Sequence, residues 1–206
     1  VSLTSSRAKR PIKQLVNFKR IHLDKNECKW VTFKLNSSDL EYFDVSSNNF
    51  ILESGKCSIL IGSSSKNIKL KKDITIIGET LKPRNLSYLT KAEDYDSCNN
   101  IILDECSLGG TCVTTSKNNL SWLKFSDVDL KNYSNLSIEA IFNSIANIEI
   151  RIDSINGDIL GSLKITTEEI KDNWNNHICK LKPLNSINDL YLVINGDCLI
   201  NSLKFI

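Results

Sequence analysis

The sequence lacks an apolar run long enough to span a bilayer, and it does not begin with a basic segment followed by an apolar one. The sequence also has no large excess of one charge, because 26 Lys and Arg are balanced by 24 Asp and Glu, giving a formal net charge of +2. That balance supplies no electrostatic drive toward nucleic acid. Neither a membrane nor a nucleic acid is therefore an expected partner.

Seven cysteines are present, but no C-x-x-C pair, which disfavours a zinc cluster or a thioredoxin-type site. In an extracellular protein seven cysteines would allow up to three disulfides with one thiol left over. The alternative is that several are simply small buried apolar residues. Secretion also fits the N-x-S/T triplets, although chance supplies several in so Asn-rich a chain; they begin at Asn36, Asn85, Asn119, Asn132 and Asn135. The expected location is extracellular.

Catalytic constellations are also missing. Neither His22 nor His177 has a Ser, Cys or Asp arranged around it in sequence as a triad would need. Asp153 and Asp158 flank a turn, so a glycosidase carboxylate pair is formally possible, but Asp is a favoured turn residue and a turn role is preferred. The chain by itself is therefore expected not to be an enzyme.

A hairpin between Ile148 and Ile165 organises the pattern that is present. The first half alternates apolar and charged side chains with period two, which predicts a strand with one face in a core. Asn156-Gly157 is a strong hairpin signal, because both residues tolerate positive φ. The second half alternates again, and the run Asp189 to Gly196 reads as a more deeply buried strand. Such strands, separated by polar loops, predict a β-sandwich.

The same patterns extend over the rest of the 206 residues, enough for one large or two ordinary domains. Alternation predicts strands at Lys29 to Leu35 and Leu120 to Phe125, which would place Trp30 and Trp122 in the core. The stretch from Glu79 to Leu89 contains Pro83 and reads as a linker. The fold class is predicted to be all-β with two β-sandwich domains.

The first part carries the strings RPIKQLVNFKRIHL, VTFKLNSSDLEYFDV and ESGKCSILIGSSSKNIKL. They resemble the fibronectin type III-like domain that closes family 3 glycoside hydrolases. This resemblance implies an immunoglobulin-like sandwich over residues 1–78, followed by a linker over 79–90. In that family two strands precede the point that matches Val1, so the sandwich is expected to be incomplete: either the chain is a fragment or the missing strands come from elsewhere. The catalytic residues of those hydrolases lie upstream of this region.

The second part carries AEDYD, LGG, WLKFSDVDL, IEIRIDSINGDILGSLKI, Trp174, NDLYLVING and LKF in that order. It is similar to a family 6 carbohydrate-binding module over residues 91–206. The resemblance implies a galactose-binding-like jelly roll that binds glycan, often with a structural calcium. The expected partners are a glycan or polysaccharide and the upstream catalytic domains of the same protein.

In that family the binding cleft uses an early aromatic residue, a late-loop Trp and an Asn of the last strand, and a sugar stacks on the flat aromatic face. Trp174 matches the late-loop Trp, with Asn173 and Asn175 beside it. The aromatic position falls on Thr115. The Asn position falls on Leu199, and a shift of registry would bring in Asn201 instead. The cleft is therefore expected to be weakened, to bind a different glycan, or to be inactive with binding moved to a sheet face.

The calcium ligands of the family are two Glu in an E-A-E-D-Y motif and an Asp near the end. Here the first Glu position holds Lys91, Glu93 remains as the candidate ligand, and the Asp position holds Asn201. Calcium prefers several oxygen ligands with negative charge, so the residues lean against a structural Ca²⁺. The function expected is carbohydrate binding in the C-terminal part of a family 3 glycoside hydrolase of β-glucosidase or β-xylosidase type. The alternative is a structural β-sandwich pair that has lost sugar binding and packs on the catalytic domains.

Overall fold

The computed structural model describes residues 1–3, 10–115 and 120–206. The chain divides into two compact units, Val1–Lys82 and Pro83–Ile206, and both are built from strands, which confirms the all-β prediction. The boundary falls inside the predicted linker over residues 79–90 and divides it between the units. Among the residues described, no helix is long and apolar enough to cross a membrane.

The first unit contains one antiparallel sheet and one short hairpin. Its strands are β1 (Ser2–Leu3), β2 (Tyr42–Asp44), β3 (Asn49–Ile51), β4 (Gly55–Gly62) and β5 (Ile68–Ile76). The sheet has the order β1-β4-β5, and β2 pairs with β3. A 3-10 turn at Ser37–Leu40 contributes Leu40 to a small core with Val1, Cys57 and Ile76. The first unit is thus all-β, as predicted.

The predicted strand from Lys29 to Leu35 is wrong, because the structure shows irregular chain there. Trp30 is 101% exposed, so its predicted place in the core is also wrong. Alternation alone does not make a strand, because the backbone N–H and C=O groups must also find a partner strand. Ile12, Leu15 and Phe18 are largely exposed in the same irregular part of the unit.

The second unit is a sandwich of two sheets. Its strands are β6 (Thr90–Lys91), β7 (Ser97–Asn99), β8 (Ile102–Glu105), β9 (Thr111–Thr114), β10 (Ser121–Asp129), β11 (Asn135–Phe142), β12 (Ala146–Ile152), β13 (Ile159–Ile165), β14 (Asn175–Lys180), β15 (Ile187–Asn195) and β16 (Cys198–Phe205). The five-stranded sheet has the order β13-β12-β15-β10-β7. The six-stranded sheet has the order β14-β11-β16-β9-β8, with β6 paired to β16. The 3-10 turns Ala92–Asp94 and Thr167–Glu169 lie in the connections.

The core of this unit lies between the two sheets. Period-two alternation sends one set of side chains inward from each strand. Leu123 and Phe125 of β10 meet Ile138 and Phe142 of β11 in one cluster of fully buried residues, with Phe205 of β16. Fully burying side chains of this size contributes about 1.5–3 kcal/mol each, so this layer is the main source of stability for the unit.

The predicted hairpin is confirmed, with β12 paired to β13 through Ile148 opposite Leu163. Its turn differs from the prediction, because the positive φ is at Asp153 (62°) and not at Gly157. Gly157 is needed for another reason: a Cβ there would lie 1.8 Å from the carbonyl oxygen of Ile152. The glycine thus permits a close approach of two backbone segments.

The segment from Pro83 to Thr90 is built into the second unit. Leu86 is fully buried, and its carbonyl accepts a hydrogen bond from the N–H of Phe205 at 2.7 Å. Arg84 is 3% exposed and its Nη2 lies 3.0 Å from Oδ1 of Asp96. The backbone of Arg84 also bonds to that of Asp127 and Asp129. Residues from Pro83 onward therefore belong to the second unit, because a flexible linker would not bury an Arg and a Leu side chain.

Candidate functional site

Trp174 lies in the connection between β13 and β14, directly before the first residue of β14. Its ring is partly buried, and its Nε1 donates a hydrogen bond to Oγ of Ser107 at 2.8 Å. Ser107 belongs to the turn between β8 and β9, which is 67 residues away in sequence. The indole is therefore anchored at its polar edge while part of its surface stays open to solvent.

The turn that carries Ser107 has a defined shape. The N–H of Gly109 donates to the carbonyl of Cys106 at 2.8 Å, and the N–H of Cys106 donates to the carbonyl of Gly110 at 2.9 Å. Gly109 and Gly110 have φ of 94° and 77°, values that favour glycine. These bonds fix the position from which Ser107 meets the indole. Burial, together with the neighbouring Cys106, raises the pKa of Cys112 to about 11, so this thiol is neutral at physiological pH.

Asn173 and Asn175 flank Trp174 in sequence. Asn175 is partly buried, and its Nδ2 donates to the carbonyl of Asn173 at 2.9 Å and to Oδ1 of Asn173 at 3.2 Å. An amide carries two donors and an acceptor with two lone pairs, so both side chains keep capacity for further hydrogen bonds. An aromatic face with amides beside it is the kind of surface that binds a sugar ring and its hydroxyls.

Two of the predicted site residues are buried, which argues against the roles predicted for them. Thr115 is 4% exposed; its Oγ1 donates to the carbonyl of Gly196 at 2.8 Å and accepts from the N–H of Cys198 at 3.1 Å. Asn201 is 3% exposed, and both ends of its amide are engaged by charged side chains. Both side chains are buried and hydrogen-bonded within the module, so neither forms part of an exposed cleft.

A groove of about 430 Å³ lies at another place on this unit. It is lined by Ile145, Asn147, Lys164, Thr166, Asn195 and adjacent residues, without an aromatic ring among them. Because stacking on a pyranose needs a flat ring, this groove is a weaker candidate for sugar binding than the surface at Trp174.

Two family models match the chain. The model of the fibronectin type III-like domain matches residues 1–65, and that of the carbohydrate binding module (family 6) matches residues 91–206, more than half of the chain. The chain belongs to the family 6 carbohydrate-binding modules. Both matched domains are non-catalytic, and they are the two kinds of domain that the sequence resembles.

Solved structures share the fold of the module. A family 6 module of Clostridium stercorarium in complex with cellobiose has a TM-score of 0.55 and 19% identity, covering 60% of this chain and 96% of its own. A family 6 module of Clostridium cellulolyticum in complex with xylose has a TM-score of 0.54 and 24% identity, covering 59% and 98%. The jelly-roll prediction for residues 91–206 is thereby confirmed.

Curated relatives match over the fibronectin-like part. "Thermostable beta-glucosidase B" of Acetivibrio thermocellus is 37% identical over 79 residues, which is 38% of this chain and 10% of that protein. "Probable beta-glucosidase D" of Aspergillus niger is 32% identical over 69 residues, 34% of this chain and 9% of that protein. The chain spans about a tenth of the length of these relatives.

The module has a second aromatic surface, which was not predicted from the sequence. Trp122 and Tyr191 form a tilted pair on the outer face of the five-stranded sheet, with ring centroids 5.7 Å apart. Both rings are partly buried, so the predicted place of Trp122 in the core is wrong. The signal was available, because Trp122 shares its face of β10 with Lys124, while Leu123 between them is fully buried. Near the rings, Nζ of Lys124 lies 2.6 Å from Oδ2 of Asp189.

The module's residues do not fit a structural calcium. Glu93, the candidate ligand, lies partly buried in the Ala92–Asp94 turn. The Oδ1 of Asn201, the residue at the position of the Asp ligand in the resemblance, accepts a hydrogen bond from Nζ of Lys91 at 2.7 Å, so this oxygen faces a cation already. Among the residues that the structure describes, no group of three or more His, Cys, Asp or Glu could hold a metal ion.

All seven cysteines are free thiols in the structure, so none of the disulfides that secretion would allow is formed. Cys112, Cys179 and Cys198 are buried, in agreement with the alternative that several act as small apolar residues. Cys28 of the first unit is exposed.

Proposed function

We propose that this chain is the glycan-binding, non-catalytic C-terminal part of a family 3 glycoside hydrolase of β-glucosidase or β-xylosidase type. The β-glucosidase relatives that match its fibronectin-like part support the identity of the parent enzyme. The module would hold the enzyme on a polysaccharide and raise the effective concentration of substrate at the catalytic domains. Cell-wall polysaccharides lie outside the cytoplasm, so the proposal includes an extracellular location, tested by fractionating the producing culture.

The observation that carries the proposal is the indole of Trp174, anchored by Ser107 and flanked by two asparagines. The anchoring hydrogen bond means that little ring freedom is lost when a sugar stacks on it. The proposed ligands are β-linked glucose or xylose polymers. They are supported by module structures described with cellobiose and xylose, and by one from Bacillus halodurans described as β-1,3-glucan binding.

The first unit supports a structural part of the proposal. Ile12, Leu15, Phe18 and Trp30 expose large apolar side chains, between 79% and 101% of their accessible areas. Large apolar side chains exposed along one short segment are candidates for burial against another domain. We propose that this unit packs on the upstream catalytic domains and that the module binds the glycan.

The test is affinity electrophoresis of the whole chain in gels containing xylan, a β-1,3-glucan or a soluble cellulose derivative. Trp174→Ala is expected to weaken binding at least about tenfold, which is roughly 1.4 kcal/mol of lost stacking and contact. Trp30→Ala is the matched control, because it removes a fully exposed Trp of the first unit and should leave retardation unchanged.

The other outcomes discriminate between the alternatives. No retardation on any polymer would favour the structural pair that has lost sugar binding, an alternative that the buried Thr115 supports. Loss of binding in Trp122→Ala, with Trp174→Ala unaffected, would move the site to the sheet face. Hydrolysis of aryl β-glucosides by the isolated chain would contradict its non-catalytic role.

A further inference from the structure

We propose that the ammonium group of Lys91 takes the place of the structural metal ion in this module, so that the fold carries its own cation. Lys91 ends β6, where it pairs with Ser202 of β16. Its Nζ donates to Oδ1 of Asn201 at 2.7 Å, across 110 residues of sequence. This proposal concerns the stability of the fold and does not depend on which glycan the module binds.

The amide of Asn201 lies between a positive and a negative group. Its Nδ2 donates to Oε2 of Glu139 at 2.6 Å, while its Oδ1 faces Lys91. The same Oε2 accepts from Oγ of Ser202 at 2.9 Å. Hydrogen bonds to charged groups are roughly twice as strong as neutral ones, and this amide makes one with each sign of charge. Its orientation is therefore set, with the oxygen toward the cation.

The hydrogen bonds around Asn201 contribute to stability because the groups that form them are buried. Asn201 and Ser202 are 3% and 1% exposed, so a hydrogen-bonding group left without a partner there would be costly. Lys91 and Glu139 bring charges of opposite sign to the two ends of the amide, so the cluster is close to neutral without a metal. It also ties β6, the first strand of the unit, to β11 and β16.

The same arrangement works against calcium. A Ca²⁺ ion takes six to eight oxygen ligands, several of them carboxylates. Here the Asn201 oxygen already faces an ammonium, which would repel the ion, and the nearby Glu139 carboxylate accepts from Asn201 and Ser202. A cation on a side chain cannot be removed by a chelator, so the fold should be insensitive to both calcium and EDTA.

Thermal melting of the whole chain tests this directly. The melting temperature of the wild type is expected to be the same in EDTA and in excess CaCl₂, within about 1 °C. Lys91→Met keeps most of the side-chain volume but removes the charge, and should melt several degrees lower in both buffers. Lys204→Met is the matched control, because Lys204 is exposed on the same strand β16 and should change little.

Reinstalling carboxylates provides the complementary test. The double variant Lys91→Glu with Asn201→Asp adds two carboxylates beside Glu139 and removes the built-in cation. It should melt lower than the wild type in EDTA and recover by roughly 5 °C or more in CaCl₂. Calorimetric titration should show calcium binding to this variant and none to the wild type.

Several results would overturn the proposal. A wild type that calcium stabilises or EDTA destabilises would show that a metal still serves the fold. An unchanged melting temperature in Lys91→Met would show that the ammonium contributes nothing. A double variant that folds but melts identically in both buffers would show that the ammonium does not occupy a metal position. If the double variant does not fold, the wild-type and Lys91→Met measurements decide.

Discussion

Replacing Leu86 by Ala should destabilise the second unit strongly, although the sequence around it looks like a linker. The Leu86 side chain is fully buried in the core, with 0% of its surface accessible to water. Truncating a buried Leu to Ala costs about 2–5 kcal/mol, from lost transfer free energy and the cavity left behind. Leu89→Ala is the matched control, because Leu89 is 66% exposed and its truncation should cost less than about 0.5 kcal/mol.

Urea unfolding of the whole chain, followed by tryptophan fluorescence, measures both variants. Trp122 and Trp174 are partly buried in the second unit, whereas Trp30 of the first is fully exposed, so the fluorescence change reports mainly on the module. For a loss of about 3 kcal/mol and a slope of about 1.5–2 kcal/mol/M, the midpoint should fall by roughly 1.5–2 M in Leu86→Ala. Leu89→Ala should shift it by less than about 0.3 M.

The comparison of the two leucines also tests where the module begins. Equal, small effects would mean that residues 83–90 contribute nothing to the fold, and the linker interpretation would stand. A large effect for Leu86 alone would mean that a module cut at Lys91, where the family model begins to match, is missing part of its own core.

Three further outcomes follow from the second unit. Gly196→Ala should cost about 2 kcal/mol or more in thermal melting, because φ is 136° and the new Cβ would lie 2.5 Å from that of Ala146. Burial raises the pKa of Cys198 from 9.0 to about 12, so the stability that the neutral thiol contributes is fully present below pH 9 and is lost as pH rises toward 12. The melting temperature of Cys198→Ala should therefore depend less steeply on alkaline pH. Burial lowers the pKa of His177 below 6.5, so the stability that the neutral imidazole contributes is present above that pH and falls in more acidic buffer. The urea midpoint of His177→Gln should lack this dependence on acidic pH.

Strands of the second unit could be predicted from the sequence because their pattern is local. The alternation of Ile148 to Asp153 and the apolar run at Asp189 to Gly196 each follow from one strand facing one core. The segment at Lys29 to Leu35 alternates equally well and forms no strand. The difference is the presence of a partner for its backbone, which a local pattern does not contain.

The residues of the candidate site also differ in whether the local sequence reveals their role. Trp174 stands out locally, as an aromatic residue among polar neighbours, and the structure leaves part of its ring exposed. The roles of Thr115 and Asn201 depend on partners far away in sequence: Gly196 is 81 residues from Thr115, and Lys91 is 110 residues from Asn201. Such pairings are set by how the sheets close, so spacing along the chain could not reveal them.

The backbone bond between Leu86 and Phe205 brings the first and last segments of the module side by side. Domains whose two ends are neighbours can be inserted into the loop of another protein as a cassette, without stretching either fold. Residues 83–206 should therefore be transplantable into a surface loop of an unrelated host, with short connections at both junctions. On our proposal for Lys91, a graft of this kind would also fold without added metal in its new setting.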